Sequence, residues 1–228
     1  MNLDPEYKKL VIKGFIKLAV FLVLIFVVAG RINYWQGWIF VALICIYAIV
    51  ATFMFAGMPD LAMERVKPGP GIKWWDKIFW VIFAIFSLAT IMIPALDAGR
   101  FYWTKSLSGF VYALAYLAYI LSTAISLWAM RVNRFFSSVV RIQKDRGQVV
   151  ISSGPYQFVR HPGYVGGILM FLAFPIILGS VVGLIPSAVT IIILVIRTYL
   201  EDITLQKELP GYQEYAKKVK YRLLPGVW

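Results

Sequence analysis

Cysteine and histidine each occur only once in this chain of 228 residues, as Cys45 and His161. With a single cysteine the chain can form neither an internal disulfide nor a redox-active pair of thiols. A zinc site of three or four Cys and His ligands is excluded as well, because only two such side chains exist. The sequence therefore predicts no metal centre and no thiol-based redox chemistry.

Charged residues are also scarce, at 15% of the chain, whereas 61% of the residues are hydrophobic. This composition is far from that of a soluble domain and predicts an integral membrane protein. The charge is mostly positive, since 23 Lys and Arg stand against 11 Asp and Glu. In a membrane protein such an excess usually faces the anionic cytoplasmic leaflet, so we expect membrane lipids and no nucleic acid as partners.

Four apolar runs reach the ~20 residues that a membrane-spanning helix needs. They cover roughly 14–31, 35–57, 76–96 and 107–130. We assign residues 1–130 to four N-terminal transmembrane helices. The first run follows four lysines, as in a signal peptide, but no small-residue cleavage site precedes Arg31, so we interpret it as the first span.

A second apolar region, 161–196, contains no Asp, Glu, Lys or Arg. As one helix its residues would extend for ~54 Å, which is too long for a single span. Gly179, Ser180 and Gly183 lie at its midpoint, so we predict a helical hairpin that crosses the bilayer fully or in part. The expected fold is all-α, with about six helices, and residues 131–228 form the functional region.

The basic residues are distributed unevenly along the chain. Twenty of the 23 fall in the N-terminal segment, the loop 58–77, the segment 131–160 and the tail from Arg197. By the positive-inside rule both termini and the 131–160 segment should be cytoplasmic. Within that segment Asp145 and Gly147 predict a turn, flanked either by a small β-hairpin or by extended loop.

The stretch GPYQFVRHPGYVGG, residues 154–167, stands at the entry to the hairpin. Pro162 suits the first position of a helix. The amides of Gly163, Tyr164 and Val165 would then lie in the first turn without intrahelical partners, and could bind a carboxylate or phosphate. In the alternative interpretation Arg160 reaches lipid phosphates, His161 caps the helix, and the glycines only allow close packing.

A second cluster, RTYLEDITLQ, lies where the hairpin leaves the apolar region. Arg197 and Glu201 are four residues apart and share one helix face. They could form a plain interfacial pair, but a hairpin brings residue 197 close to residue 161, and this convergence favours a site. The tail after Pro210 mixes tyrosines with lysines, a composition typical of a segment that anchors a protein at the membrane interface. Alternatively, the tail could cover a pocket as a lid.

Taken together, these motifs resemble the isoprenylcysteine carboxyl methyltransferase family, which is related to phospholipid N-methyltransferases. The likeness covers Asn133–Trp228 and implies S-adenosyl-L-methionine as cofactor at a cytoplasmic pocket. It implies cofactor contacts from Gln148, Val149, Val150, Ile151, Tyr156, His161, Pro162, Gly163, Tyr164 and Glu201. Arg197 would face the substrate, with Arg197 and Glu201 as the catalytic pair. The chain departs from the family at Glu201-Asp202, a shorter acidic run, and at 209–211, where Leu-Pro-Gly replaces an aromatic-Gly pair.

The resemblance implies methyl transfer to a membrane-embedded, lipophilic acceptor. A carboxylate of an isoprenylcysteine-like or other lipid is the first expectation, with Arg197 as its planar two-pronged donor. An amine headgroup is the second. Two other classes stay open from the sequence: a membrane reductase that uses a nicotinamide cofactor, and a lipid-binding scaffold without enzymatic activity.

Overall fold

The computed structural model describes residues 5–228, apart from the side chains of residues 5–7 and 10. The helices are α1 (Pro5–Ala29), α2 (Trp35–Ala56), α3 (Pro59–Val66), α4 (Trp74–Leu96), α5 (Gly109–Val132), α6 (Pro162–Ile177), α7 (Leu184–Glu208) and α8 (Tyr212–Lys218). A π-helical turn, Asp97–Phe101, follows α4, and two 3₁₀ turns lie at Lys144–Arg146 and Gly154–Gln157. No strand occurs in the described range, so the prediction of an all-α fold is confirmed.

Within residues 5–228, five helices are long and apolar enough to cross a membrane, namely α1 from Val11 onward, α2, α4, α5 and α7. The first arm of the hairpin, α6, is shorter. At 1.5 Å per residue its 16 residues extend for ~24 Å, less than the ~30 Å hydrocarbon core. The polytopic membrane architecture is confirmed, with five long apolar helices and one short one. The arm ends early because Gly179 adopts a positive φ of +83° just after the helix.

The predicted turn around residue 145 forms without a β-hairpin. Lys144–Arg146 is a single 3₁₀ turn that ends at Gly147, whose φ is +59°. The Gln143 amide donates to the Gln148 side-chain oxygen at 2.7 Å, so a side chain takes the place of a strand partner. The extended-loop alternative is therefore the right one.

Two short helices, α3 and α8, were not predicted, because both lie in polar segments without a long apolar period. Tertiary contacts hold α3 in place. Arg141, in the segment after α5, donates to both carboxylate oxygens of Glu64, at 2.9 and 2.7 Å. Burial alone would raise the pKa of the Glu64 carboxyl, but the hydrogen bonds from Arg141 and Ser137 hold that pKa below its ordinary value.

The hairpin arm α6 crosses α5 at a point where both helices carry small residues. Ser122 donates its hydroxyl to the Gly166 carbonyl at 2.7 Å. A Cβ atom on Gly166 would lie 2.1 Å from the Ser126 hydroxyl and 2.9 Å from the Ser122 carbonyl oxygen. Such close approach is the usual mode of helix association in membranes. It fixes the start of α6 beside the C-terminal end of α5.

The two ends of the bundle differ in character. At one end Asp97 accepts hydrogen bonds from the Thr104 amide at 2.8 Å and from the Ser180 hydroxyl at 2.6 Å, which ties the hairpin turn to the loop after α4. Arg31 and Arg100 also bond to backbone carbonyls at this end. The loop 58–77, the segment 131–160 and the tail gather at the opposite end. Which end faces the cytoplasm stays a prediction from the positive-inside rule.

Candidate functional site

A cavity of about 270 Å³ lies at the end of the bundle where these polar segments gather. It is enclosed by the start of α6, the last turns of α7, the segment after α5 and helix α8. Ten of the eleven residues that the sequence marked as a site line it: Gln148, Val149, Val150, Ile151, Tyr156, His161, Gly163, Tyr164, Arg197 and Glu201. The eleventh, Pro162, is buried at the first position of α6 and is not part of the wall.

Arg197 lies on α7 inside an enclosed, aromatic environment. Its guanidinium carbon is 4.4 Å from the centre of the Phe79 ring and 5.4 Å from that of Trp80. The side chain donates from Nε to Asp76 at 2.7 Å and from Nη2 to the Ser138 carbonyl at 2.8 Å. Asp76, at the start of α4, is fully buried and has Arg197 as its ion-pair partner. No pattern in the sequence indicates this partner, which lies 121 residues away.

Tyr164 connects the two residues that the sequence proposed as a pair. Arg197 donates from Nη1 to the Tyr164 hydroxyl at 2.7 Å, and that hydroxyl donates to Glu201 at 2.5 Å. Arg197 and Glu201 form no direct ion pair, so the alternative of a plain interfacial pair is wrong. The tyrosine hydroxyl lies between them because α6 runs alongside α7 at this level.

Glu201 forms no ion pair with any residue between 5 and 228, and its one side-chain hydrogen bond comes from Tyr164. It is also the one carboxylate among the residues that line the cavity. This carboxylate lies within electrostatic reach of Arg197 but has no direct ion-pair partner. It is therefore suited to a ligand that carries an ammonium group or hydroxyls.

The next residue, Asp202, has a different role. It is fully buried and accepts hydrogen bonds from five side chains: Arg160 at 2.7 and 3.0 Å, Arg222 at 2.8 Å, Gln206 at 2.7 Å, Tyr212 at 3.2 Å and His161 at 3.2 Å. These residues come from the loop before α6, from α7, from α8 and from the tail. Asp202 therefore holds the walls of the cavity together. Arg160 binds Asp202 rather than lipid phosphates, which contradicts that alternative.

The start of α6 is less open than the sequence suggested. The amides of Tyr164 and Val165 both donate to the His161 carbonyl, at 3.0 and 3.4 Å. The expectation of three free amides is therefore wrong for Tyr164 and Val165. The backbone turns tightly at His161, so the His161 carbonyl accepts from both amides. The Gly163 amide makes no such bond in the described structure, and Gly163 lines the cavity.

The tail after α7 covers the cavity. Tyr212 and Tyr215 of α8 are buried and line it, and Tyr215 donates its hydroxyl to the Tyr156 carbonyl at 2.7 Å. Burial raises the pKa of the Tyr156, Tyr212 and Tyr215 phenols above the ordinary range, so all three are neutral donors at physiological pH. The lid alternative describes this part of the tail better than an interfacial anchor does.

Fold and site together define a class: a polytopic helical membrane protein with a cavity of ligand size, lined by both polar and apolar side chains, at one end of its spans. Residues 110–210 match the model of the phospholipid methyltransferase family, which confirms the predicted relationship. The match also takes in α5, which the predicted resemblance did not include, and it ends before the tail 211–228, which the resemblance did include. The match indicates a membrane methyltransferase. A comparison with curated proteins found no significant match.

Proposed function

We propose that the protein transfers a methyl group from S-adenosyl-L-methionine to a lipophilic acceptor in the membrane. The observation that carries the proposal is the unpaired Glu201 carboxylate, which faces the same cavity as the Gly163 amide and the rings of Tyr156 and Tyr164. The family match over residues 110–210 supports the same class of reaction.

The polar groups of the cavity fit the charges of this cofactor. Glu201 suits the ammonium group or the ribose hydroxyls, because it is an acceptor without a cation of its own. The free amide of Gly163, with the dipole of α6 behind it, suits the carboxylate. The electron-rich faces of Tyr156 and Tyr164 suit the sulfonium or the adenine ring. We propose the remaining predicted residues, Gln148–Ile151 and His161, as the wall that shapes this pocket.

The bound cofactor supplies an electrophilic methyl group on a positively charged sulfur. The protein then has to align the acceptor and exclude water. Helix α8 contributes to the second task, since Tyr212 and Tyr215 close one side of the cavity. Arg197 and Glu201 contribute to the first task through Tyr164, whose hydroxyl they hold between them.

Arg197 does not act as the two-pronged substrate clamp that the sequence suggested. Four of its five N–H groups donate to Asp76, Ser138 and Tyr164. Only one N–H group, on Nη1, remains available to a substrate. A bidentate contact with a carboxylate would break an ion pair that is already buried. We therefore propose that Arg197 positions Tyr164 and offers at most one hydrogen bond to the acceptor.

A lipid carboxylate remains the first choice of acceptor, as in an isoprenylcysteine-like lipid. A carboxylate acceptor is ionised before it reacts, so it needs no general base. This matters because Glu201, the one carboxylate that lines the cavity, is already assigned to the cofactor. A phospholipid amine headgroup is the second candidate, and the description of the matching family favours it. In that case Glu201 would have to accept the amine proton.

The experiment is a titration of the purified protein with S-adenosylhomocysteine and, separately, with NADPH, followed by thermal unfolding. Saturable stabilisation by S-adenosylhomocysteine is expected, by about 2.7 kcal/mol at a hundredfold excess over Kd. Glu201→Gln keeps the shape and the Tyr164 contact but removes the charge, so its affinity should fall roughly 10-fold or more. Glu208→Gln, on the same helix outside the cavity, is the matched control and should bind normally.

Three outcomes would contradict the proposal. Stabilisation by NADPH alone would support the reductase class, and stabilisation by neither compound would support a scaffold. Equal affinity for S-adenosylhomocysteine in Glu201→Gln and in the wild type would show that Glu201 does not bind the cofactor.

A further inference from the structure

Four arginines line the cavity, and three of them have an ion-pair partner within the protein. Arg141 is bound by Glu64 and Asp145, and Arg160 by Asp202 together with the carbonyls of residues 219 and 220. The ion pair of Arg197 with Asp76 has been described above. Each of these positive charges is therefore compensated before any ligand enters.

Arg65, the last residue but one of α3, is the exception. Its guanidinium makes no hydrogen bond and no ion pair in the described part of the chain, and its Nη1 atom is buried without a partner. Burial lowers the pKa of this side chain, as does the nearby charge of Arg197, yet an arginine stays protonated at physiological pH. A partly buried cation without an ion-pair partner is costly, and a compensating anion would remove much of that cost.

Two aromatic rings hold the Arg65 guanidinium in place. Its central carbon lies 5.7 Å from the centre of the Phe55 ring and 5.3 Å from that of Phe136. Rings at these distances attract the cation but leave the in-plane N–H groups free to donate. The side chain is thus fixed in direction while its donors remain available to the cavity that it lines.

We propose that Arg65 binds the oxyanion of the lipid acceptor, either a carboxylate or a phosphate. The inference rests on the proposed function and gives its acceptor a chemical class. Arg65 comes from α3, outside the segment 148–201 that holds every residue proposed for the cofactor. On the α4, α6 and α7 side the cavity continues into an apolar wall, formed by Trp80, Phe83, Phe171 and Leu194, that suits a lipid chain.

The test compares lipids that differ only in charge. Binding of N-acetyl-S-farnesylcysteine is measured against its methyl ester, and binding of farnesyl phosphate against farnesol, with S-adenosylhomocysteine present in a neutral detergent. The wild type should prefer at least one of the ionised lipids over its neutral match. Arg65→Leu should weaken the preferred ionised lipid roughly 10- to 100-fold and leave the neutral lipids unchanged. The better-bound oxyanion distinguishes a carboxylate acceptor from a phosphate-bearing one.

Two further variants keep the result interpretable. Arg65→Lys retains the charge and should recover part of the lost affinity, while Arg131→Leu removes an exposed arginine outside the cavity and should bind as the wild type does. The proposal is overturned if the wild type does not discriminate ionised from neutral lipids, or if Arg65→Leu binds each of the four lipids with the same affinity as the wild type does. It is overturned too if Arg65→Leu loses S-adenosylhomocysteine by the same factor, because Arg65 would then bind the cofactor carboxylate.

The wild type alone already tests the preference for ionised lipids, so the proposal can fail even if Arg65→Leu does not fold. Failure of the wild type to bind S-adenosylhomocysteine would instead contradict the proposed function. The lipid titrations, repeated without that compound, would still report on Arg65.

Discussion

Single hydroxyl and carboxyl groups decide how the cavity is organised. Glu201 and Asp202 are neighbours in the chain, yet one faces the cavity and the other is buried as the acceptor for five side chains. Consecutive residues on a helix point about 100° apart, so one can serve the ligand while the other serves the fold. The cavity therefore depends on Asp202 for its walls and on Glu201 for its charge.

Tyr164→Phe is the most direct test of the link between Arg197 and Glu201. The change removes the hydroxyl that accepts from Arg197 and donates to Glu201, while the ring stays in place. We expect methyl transfer to fall about 10-fold or more, because two hydrogen bonds to charged groups are lost, while the thermal midpoint falls only modestly because the ring stays packed. The measurement is kcat with radiolabelled cofactor.

Tyr199→Phe is the control for this change, because Tyr199 is an exposed residue of the same helix pair whose hydroxyl lies outside the cavity. Unchanged turnover in Tyr164→Phe would remove the proposed role of the bridge. Arg197→Ala is a poorer test, since it leaves Asp76 as a buried, unpaired charge and should destabilise the protein by about 3–5 kcal/mol.

At the scale of elements, the crossing of α5 and α6 determines where the cavity lies. The Gly166 carbonyl of α6 accepts a hydrogen bond from Ser122 of α5, and a Cβ atom at Gly166 would clash with Ser126, so the two helices pack closely here. The N-terminal turn of α6 and the segment that follows α5 therefore meet at the same end of the bundle. Both supply cavity walls.

Gly166→Ala should destabilise the protein by about 1–3 kcal/mol, because the added methyl group overpacks this crossing. The Ser126 hydroxyl can rotate away from the new Cβ, but the Ser122 carbonyl at 2.9 Å is backbone and cannot. Thermal unfolding in detergent measures the loss.

Gly109→Ala is the matched control, since a Cβ atom there meets nothing within 4 Å. Adding Ser126→Ala to Gly166→Ala should restore only part of the stability. Equal thermal midpoints for Gly166→Ala and Gly109→Ala would show that the crossing tolerates wider spacing.

Over the whole molecule, the basic residues are sorted to one end. The segments that hold 20 of the 23 Lys and Arg include the loops around the cavity, whereas Arg31, Arg100 and Lys105 belong to the opposite end. An enzyme that takes a water-soluble cofactor from the cytoplasm would need its cavity on that side. The positive-inside rule and the location of the cavity thus lead to the same predicted orientation.

Cysteine labelling can test this orientation. Cys45 is the one cysteine of the chain, so a single substitution gives a cysteine-free background. In a Cys45→Ser background, Lys105→Cys should react with a membrane-impermeant maleimide in intact cells, whereas Lys144→Cys should react only after lysis. Both lysines are exposed, so accessibility to the reagent reports the side of the membrane. Labelling of Lys144→Cys in intact cells would reverse the predicted topology.

The sequence by itself determined the class of the fold. The length and composition of the apolar runs predict spanning helices because a bilayer requires ~20 apolar residues in a row, and this requirement is local. The hairpin followed from its length and its central glycines, and the common face of Arg197 and Glu201 followed from helical periodicity. The family resemblance added the cofactor that we propose and the residues that we propose to bind it.

Only the tertiary structure decided how the charges are compensated. Asp76 neutralises Arg197 across 121 residues of sequence, and Asp202 collects donors from the loop before α6, from α8 and from the tail. Arg65 is left without a partner, and no local pattern distinguishes it from the other basic residues of its loop. Ion pairing depends on which helix faces which and at what height, and these distances are set by the packing of the whole bundle.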